Sequence, residues 1–246
     1  MKGVILAGGL GKRLEPLTRI TNKHLLNIYN KPMIYYPIQT LVDAGIKDIM
    51  IVTGGNNAGD FLRLLGNGQE FGLKHINYTY QRGEKGIADA LSLAEHFADG
   101  QKIVVILGDN VIEKSIKKYV ERFEKQPEGA RILIKQVPDP ERFGVVELKD
   151  KKIVSIVEKP RKPKSNYIVT GIYMYDAQVF DIIRTLKPSE RGELEITDVN
   201  NTYLKKGQLH YDILDGFWTD CGLPETLYRA STLVRKKLLK GINAFI

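Results

Sequence analysis

The chain has 246 residues, 43% of them hydrophobic and 27% charged, a balance close to that of ordinary globular proteins, which excludes a disordered or low-complexity chain. Lysine and arginine outnumber the acids 37 to 29, and the resulting net charge of +8 favours acidic partners; the bases are scattered rather than gathered into a stripe with interleaved aromatics, so nucleic acid is not the expected partner. The single cysteine, Cys221, excludes an internal disulfide, and no apolar run approaches the roughly 20 residues of a membrane span, so a reducing, cytoplasmic setting away from membranes is expected.

Gly3 to Ala7 reads as a buried strand, and Ile49 to Val52 and Lys102 to Leu107 read alike, as near-continuous apolar runs rich in β-branched residues. Between them, Pro32 stands where a first-turn proline belongs, Met33 to Ala44 follows as a helix, and Gly45 closes it. Ile76 to Tyr80 alternates like a strand, while Ile87 to Phe97 and Ile116 to Phe123 carry apolar residues at helical spacing. From Arg131 to Val157 the pattern turns to hairpin-like strands, read as a β-rich subdomain inserted near the carboxyl edge of the sheet. A strand at Tyr167 to Tyr175, helices at Ala177 to Leu186 and Ile196 to Lys205, a strand at Leu209 to Leu214 and a helix from Pro224 complete the chain. Strands alternating with helices predict an α/β fold, a mostly parallel sheet wrapped by helices on both faces, formed by 1–246 as one domain.

The strongest local signal follows the first strand: Leu6-Ala7-Gly8-Gly9-Leu10-Gly11-Lys12-Arg13-Leu14. Glycines at a strand's carboxyl end let the backbone approach a phosphate with its amides free, although a plain tight turn has the same preference. A dinucleotide-binding fingerprint needs glycine where Leu14 stands and an acid at the end of the next strand, which instead ends in Thr53; a Walker loop needs glycine at Leu6 and Ser or Thr at Arg13. Nicotinamide chemistry is therefore disfavoured. Arg13 and Lys23 could both reach phosphates held by the glycine loop.

Asp109, in Gly108-Asp109-Asn110 after the most apolar strand, sits where open α/β sheets place ligands, and it reads either as a hard-cation ligand or as a helix N-cap. Asp220 carries the same two readings, and the pair would suffice for a Mg²⁺ ion that also binds substrate phosphates. Glu158-Lys159-Pro160 ends a strand; the proline is expected to force an extended exit, and the pair reads either as a surface ion pair or as a carboxylate for sugar hydroxyls beside an ammonium for phosphate. Gln81 has an amide able to read a base edge, and Gly86 would let a base lie against the backbone. His24, His75, His96 and His210 are dispersed, no nucleophilic triad is visible, and Cys221 is expected to pack beside Asp220. A metal-dependent glycosyltransferase would want an Asp-x-Asp motif, which Gly108-Asp109-Asn110 is not.

These segments, with Glu15-Pro16-Leu17-Thr18, Lys31-Pro32-Met33-Ile34-Tyr35-Tyr36-Pro37, Leu65-Gly66-Asn67-Gly68, Phe143-Gly144-Val145 and Glu195-Ile196-Thr197-Asp198, occur in an order that resembles the sugar nucleotidyltransferase family along nearly the whole chain. Within it, the branch that joins dTTP to glucose 1-phosphate on the way to dTDP-rhamnose is the most similar. The resemblance implies a Rossmann-like fold of the GT-A type, Mg²⁺ as cofactor on Asp109 and Asp220, and Arg13, Lys23 and Lys159 as the catalytic cations on phosphates. It places Leu6, Gly8, Gly9, Gly11, Arg13, Lys23, His24, Gln81, Gly86 and Asp109 around the nucleotide. Asn110, Gly144, Glu158, Lys159, Val169 and Gly171 fall around the sugar, so that 1–110 is mainly the nucleotide half and 111–246 mainly the sugar-phosphate half. The expected partners are the two small substrates and further copies of the chain in a homo-oligomer. The family usually has Gln where His24 and Asp89 stand, and Asp-Thr-Gly in place of Asp220-Cys221-Gly222. A catalytically silent nucleotide-binding module is the alternative, against which the joint presence of Arg13, Lys23, Asp109, Lys159 and Asp220 speaks.

Overall fold

The structure, a computed structural model, describes residues 1–55 and 57–243, with side chains described through residue 239. In chain order the elements are β1 (Lys2–Ala7), β2 (Asn27–Ile28), β3 (Lys31–Pro32), α1 (Tyr35–Asp43), β4 (Ile49–Gly54), α2 (Ala58–Leu65), β5 (Ile76–Gln81), α3 (Ile87–Ser92), α4 (Glu95–Ala98), β6 (Ile103–Leu107) and β7 (Asn110–Ile112). They continue with α5 (Lys117–Lys125), β8 (Ala130–Gln136), β9 (Gly144–Lys149), β10 (Lys152–Glu158), β11 (Tyr167–Tyr175), α6 (Gln178–Thr185), α7 (Ile196–Lys205), β12 (Leu209–Ile213), β13 (Trp218–Asp220) and α8 (Pro224–Asn243).

Nine strands form one sheet, with β10-β9-β11-β6-β1-β4-β5 in order and β8 and β12 branching from β11. The strands β6, β1, β4 and β5 are parallel, which requires crossovers long enough for helices, and the apolar runs of β1 and β6 are buried because both faces are covered. Alternation along each strand splits them between two layers: Val4, Leu6, Ile103 and Val105 face Leu91, Ile182 and Val199 of α3, α6 and α7. Ile5, Ala7, Val104 and Ile106 face Leu41, Phe61 and Phe123 of α1, α2 and α5. Each fully buried side chain of this size contributes about 1.5 to 3 kcal/mol, so the two layers fix the sheet as a rigid platform.

The strand-rich stretch expected between Arg131 and Val157 is present as β8, β9 and β10. It continues the main sheet through β11, which runs antiparallel to β6, β8 and β9 and makes this half of the sheet mixed. β11 meets β9 at Ile168 and β6 from Ile172 onward, so Val169 to Gly171 have no ladder partner on that side, and a gap opens there.

Two boundaries differ from expectation. Helix α1 starts at Tyr35 because the N–H groups of Met33 and Ile34 donate to the carbonyls of Leu26 and His24, which holds Pro32 to Ile34 against the preceding segment. Proline 37, not Pro32, occupies the first turn, where its missing N–H costs no helical bond. The predicted helix over Ile87 to Phe97 is split into α3 and α4 at Leu93 and Ala94.

Candidate functional site

Parallel β1, β4, β5 and β6 end at one edge, in register Leu6 with Leu107, Ala7 with Thr53 and Gly54 with Gln81. That edge gathers the glycine loop, Gln81 and Asp109. The loop lies directly on β4: a Cβ at Gly54 would stand 2.6 Å from the Gly8 carbonyl oxygen, so only glycine admits this crossing. Asn22 fastens the next segment beneath it. Its side-chain amide donates to the Gly54 carbonyl at 3.3 Å, and its Oδ1 accepts from the His24 backbone N–H at 3.0 Å and from the His24 ring Nδ1 at 2.7 Å. The His24 ring is therefore the Nδ1–H tautomer. Burial, aided by the neighbouring Lys23 charge, pushes its pKa down to about 3, so it is neutral near pH 7.

A cleft opens over this edge. It is lined by Leu6, Gly8, Gly9, Lys23, His24, Gln81, Gly86 and Asp109, together with Glu84, Ile87, Ala90, Leu107 and Glu193. Of the residues expected around the nucleotide, Gly11 and Arg13 are not on its wall. Gly11 has φ +70° and packs on the Lys23 stem, where a Cβ would stand 2.8 Å from the Lys23 Cβ. Arg13 points toward Gly222 and lines a second cleft.

That second cleft fills the gap left by β11 and holds every residue expected around the sugar: Asn110, Gly144, Glu158, Lys159, Val169 and Gly171, with Arg13, Asp109 and Asp220. The two clefts share Ile87, Leu107 and Asp109, so Asp109 stands where they meet. It is no helix cap: the strand β7 follows it. β7 pairs antiparallel with β13, opposing Asn110 to Asp220, and the Cys221 N–H donates to the Asp109 carbonyl at 2.9 Å. This ribbon brings the two aspartates together from distant parts of the chain. Cys221 is fully buried behind them among Ile28, Met33, Val111 and Ala230, and burial pushes its thiol pKa up, so it is an inert packing residue.

The two carboxylates have opposite electrostatics. Burial acts to raise the Asp109 pKa, but the Lys23 ammonium, 2.6 Å from Oδ2, and the Asn110 amide, donating to Oδ1 at 3.1 Å, outweigh it and hold the pKa at about 2. Burial and the Asp109 charge raise the pKa of Asp220, whose Oδ2 accepts from Arg142 at 2.9 Å. Asn110 is itself locked: its Oδ1 accepts from the Trp218 indole at 2.7 Å and from the Gly171 N–H at 3.1 Å. At 1% exposure it orients Asp109 more than it offers free hydrogen bonds.

In the second cleft Glu158 Oε2 accepts from the Thr197 hydroxyl at 2.6 Å, while Lys159 Nζ and Arg191 stand 3.6 and 3.7 Å from Oε1. Lys159 corrects an expectation. The residue before a proline is normally extended, yet Lys159 has φ +42° because its N–H is drawn to the Phe143 carbonyl at 3.0 Å. A strained backbone of this kind costs on the order of 1 to 3 kcal/mol and is held only where the surroundings impose it.

Arg142, Thr197, Asn200 and Trp218 in the sugar-side cleft, and Glu84, Ile87 and Glu193 in the other, were not singled out from sequence. Thr197 and Phe143 lay inside segments that carried the resemblance. Arg142 had no signal beyond its adjacency to Phe143.

A nucleotidyl transferase family profile matches residues 2–237. A glucose-1-phosphate thymidylyltransferase of Neisseria meningitidis serogroup A is 45% identical over 96% of this chain and 83% of its own length. One from Mycolicibacterium smegmatis is 44% identical over 99% of this chain and 85% of its own. Among solved structures, a provisionally named glucose-1-phosphate thymidylyltransferase from Bacillus anthracis, in complex with a sucrose, superposes with a TM-score of 0.92 at 53% identity, covering 96% of this chain and 95% of that one. A UDP-glucose pyrophosphorylase complexed with UDP-glucose reaches a TM-score of 0.84 at 26% identity, covering 96% and 98%.

Proposed function

The chain belongs to the nucleotidyl transferase family, and on that premise we propose that it joins glucose 1-phosphate to the thymidylyl group of dTTP, releasing pyrophosphate and giving dTDP-glucose on the way to dTDP-rhamnose. The observation that carries this reading is the meeting of two clefts at Asp109, one against the glycine loop and one lined by Glu158 and Lys159. Two substrates laid in them touch at the carboxylate pair.

In this reading 1–110 serves mainly the nucleotide and 111–246 mainly the sugar phosphate. Backbone amides of Gly8 and Gly9 and the cation Lys23 attend the triphosphate, Arg13 reaches toward its phosphates from the wall of the sugar-side cleft, Lys159 attends the sugar phosphate and Glu158 the sugar hydroxyls. Asp109 and Asp220 fit a magnesium ion by donor chemistry. They are hard-oxygen groups that the β7–β13 ribbon brings to one cleft wall, and a magnesium ion shared with substrate phosphates needs only one or two protein carboxylates. Magnesium, which keeps sites open for phosphate oxygens and water, would neutralise charge building on the phosphates.

The chemistry asks little else of the protein. A phosphomonoester has its second pKa near 6, so glucose 1-phosphate is largely a dianion at pH 7 and needs no base before attack. Its phosphate oxygen attacks the α-phosphorus, that bond forms as the bond to pyrophosphate breaks, and the electron pair leaves with pyrophosphate. His24 is 2% exposed with its Nε2 edge packed on Gly108, and Cys221 is protonated and buried, so neither offers an exposed nucleophile. The barrier is lowered by positioning and by charge on Arg13, Lys23 and Lys159. Pyrophosphate release over a panel of dTTP, UTP, ATP, CTP and GTP, each with glucose 1-phosphate and its isomers, tests the assignment: dTTP with glucose 1-phosphate should be best. Preference for ATP or GTP would overturn the base, and release with no sugar phosphate in the panel would overturn the reaction.

A further inference from the structure

We propose that Asp89, a residue outside the cleft, fixes the polarity of the Gln81 side-chain amide and thereby makes the base site select a pyrimidine with a protonated N3, thymine or uracil, over cytosine. The inference rests on the nucleotide reading of the cleft given above.

Gln81 ends β5 and is 5% exposed. Its Nε2 donates to two oxygens, the Gly86 carbonyl at 3.0 Å and Asp89 Oδ2 at 2.8 Å. A carbonyl and a carboxylate only accept, so the NH₂ must face them whichever way the amide is drawn; a flip would set three acceptor oxygens together with no proton between them. Both amide protons are thus consumed inside the protein. Oε1 remains, with no donor reaching it among the described residues, and it lies over the glycine loop: a Cβ at Gly8 would stand 2.7 Å from it. Gly8, Gln81 and Gly86 share the cleft wall, whereas Asp89 does not line it and acts from behind.

Gly86 cannot drift to relax this lock. It has φ +97°, a Cβ on it would stand 2.4 Å from the Leu194 carbonyl oxygen, and its neighbours are tied to Leu194 by the Leu194 N–H donating to Lys85 at 2.8 Å and the Ala88 N–H donating to Leu194 at 3.1 Å. Asp89 is equally placed, in the first turn of α3, where a negative side chain is favoured by the helix dipole. The cleft therefore sees a fixed acceptor. Thymine and uracil present N3–H, a donor; cytosine in the same pose presents the N3 lone pair, and two acceptors would face each other across a buried contact. The thymine methyl plays no part, so uracil is read like thymine at this atom. Asp89 is a positioning residue, acting through Gln81.

The test compares kcat/KM for dTTP, UTP and dCTP at saturating glucose 1-phosphate in the wild type, Asp89→Ala and Asp89→Asn. The wild type should favour dTTP over dCTP by about a hundredfold or more, Asp89→Ala should cut that ratio about tenfold, and Asp89→Asn, which keeps an acceptor oxygen, should restore most of it. UTP should track dTTP throughout, and the KM for glucose 1-phosphate should stay put, which a general loosening of the fold would not leave alone. An unchanged dTTP to dCTP ratio in Asp89→Ala overturns the proposal. A measurement needing no variant is N3-methyl-dTTP with the wild type: use as good as dTTP overturns it, and a loss of about a hundredfold supports it. Should the wild type release no pyrophosphate with any sugar phosphate, the catalytic reading fails by itself. Calorimetric binding of dTTP against dCTP to the wild type and Asp89→Ala then decides the role of Asp89.

Discussion

Lys23→Met removes the ammonium 2.6 Å from Asp109 Oδ2 while keeping most of the side chain's apolar length, in a pair whose side chains are only 14% and 13% exposed. A carboxyl held at about 2 against an ordinary 3.8 is stabilised by on the order of 2 to 3 kcal/mol. Orphaning one partner of a buried pair typically costs about 3 to 5 kcal/mol, so both routes lead to about 3. In a chain of this size each kcal/mol moves Tm by about 2 to 4 °C, giving a fall of roughly 6 to 12 °C at pH 7 in the presence of a chelator. Because the Asp109 pKa is depressed, the contribution is complete above its unfolded value of 3.8 and is lost as pH falls through about 2, so the gap between the two proteins should close on acidification. Magnesium adds a second reading. With Lys23 gone, Asp109 has only the Asn110 amide to balance it, so saturating Mg²⁺ should raise Tm more in Lys23→Met than in the wild type. Scanning calorimetry with chelator and with Mg²⁺ reads both quantities. Equal Tm values without metal, or an equal rise with metal in both proteins, would refute the pairing of Lys23 and a cation as alternative partners of Asp109.

Asp109→Asn and Asp220→Asn should each lower kcat by about a hundredfold or more with the fold intact by circular dichroism, since each removes a hard-oxygen donor at the junction of the clefts; full activity of either at ordinary Mg²⁺ contradicts the metal assignment. Lys159→Ala should raise the KM for glucose 1-phosphate more than that for dTTP, because Lys159 lies on the wall of the sugar-side cleft and not of the other; equal rises would undo the division of roles. His24, held neutral with its pKa at about 3, leaves the unfolded chain to bind a proton that the folded chain refuses, so stability falls as pH drops from about 6.5 toward 3, by at most about 1.4 kcal/mol per pH unit. Urea denaturation at pH 7, 5 and 4 should show a shallower fall for His24→Gln, and parallel curves would contradict the buried neutral ring.

Much of the frame is legible locally. β1 and β6 are apolar on both faces because helices cover both, and such a run announces itself without knowledge of its partners; β11 and α7 fall where their patterns place them. The meeting of Asp109 and Asp220 is not legible. It depends on β7 and β13, three-residue strands too short to carry a period, whose pairing is visible only in three dimensions. Arg142 is one of 37 basic residues, and its importance comes from Asp220 and Asp139, which it bridges. The turn at Lys159 runs against the local rule for the residue before proline because a tertiary hydrogen bond from its N–H to Phe143 outweighs the local preference. Gln81 is a candidate base reader from its place at a strand end, but the orientation of its amide is set by Asp89 and Gly86, and one of those partners is a backbone carbonyl that no sequence pattern reveals.

In the proposed reaction both substrates lie side by side across Asp109, and the nucleotidyl group passes directly between them. Incubation of the enzyme with Mg²⁺ and β-labelled dTTP, with and without glucose 1-phosphate, distinguishes this direct transfer from a two-step route. Labelled pyrophosphate is expected to form only when glucose 1-phosphate is present, in equal amount to dTDP-glucose, with no exchange of pyrophosphate into dTTP in its absence. Exchange of pyrophosphate into dTTP without glucose 1-phosphate would reveal a nucleotidyl-enzyme intermediate and contradict direct transfer.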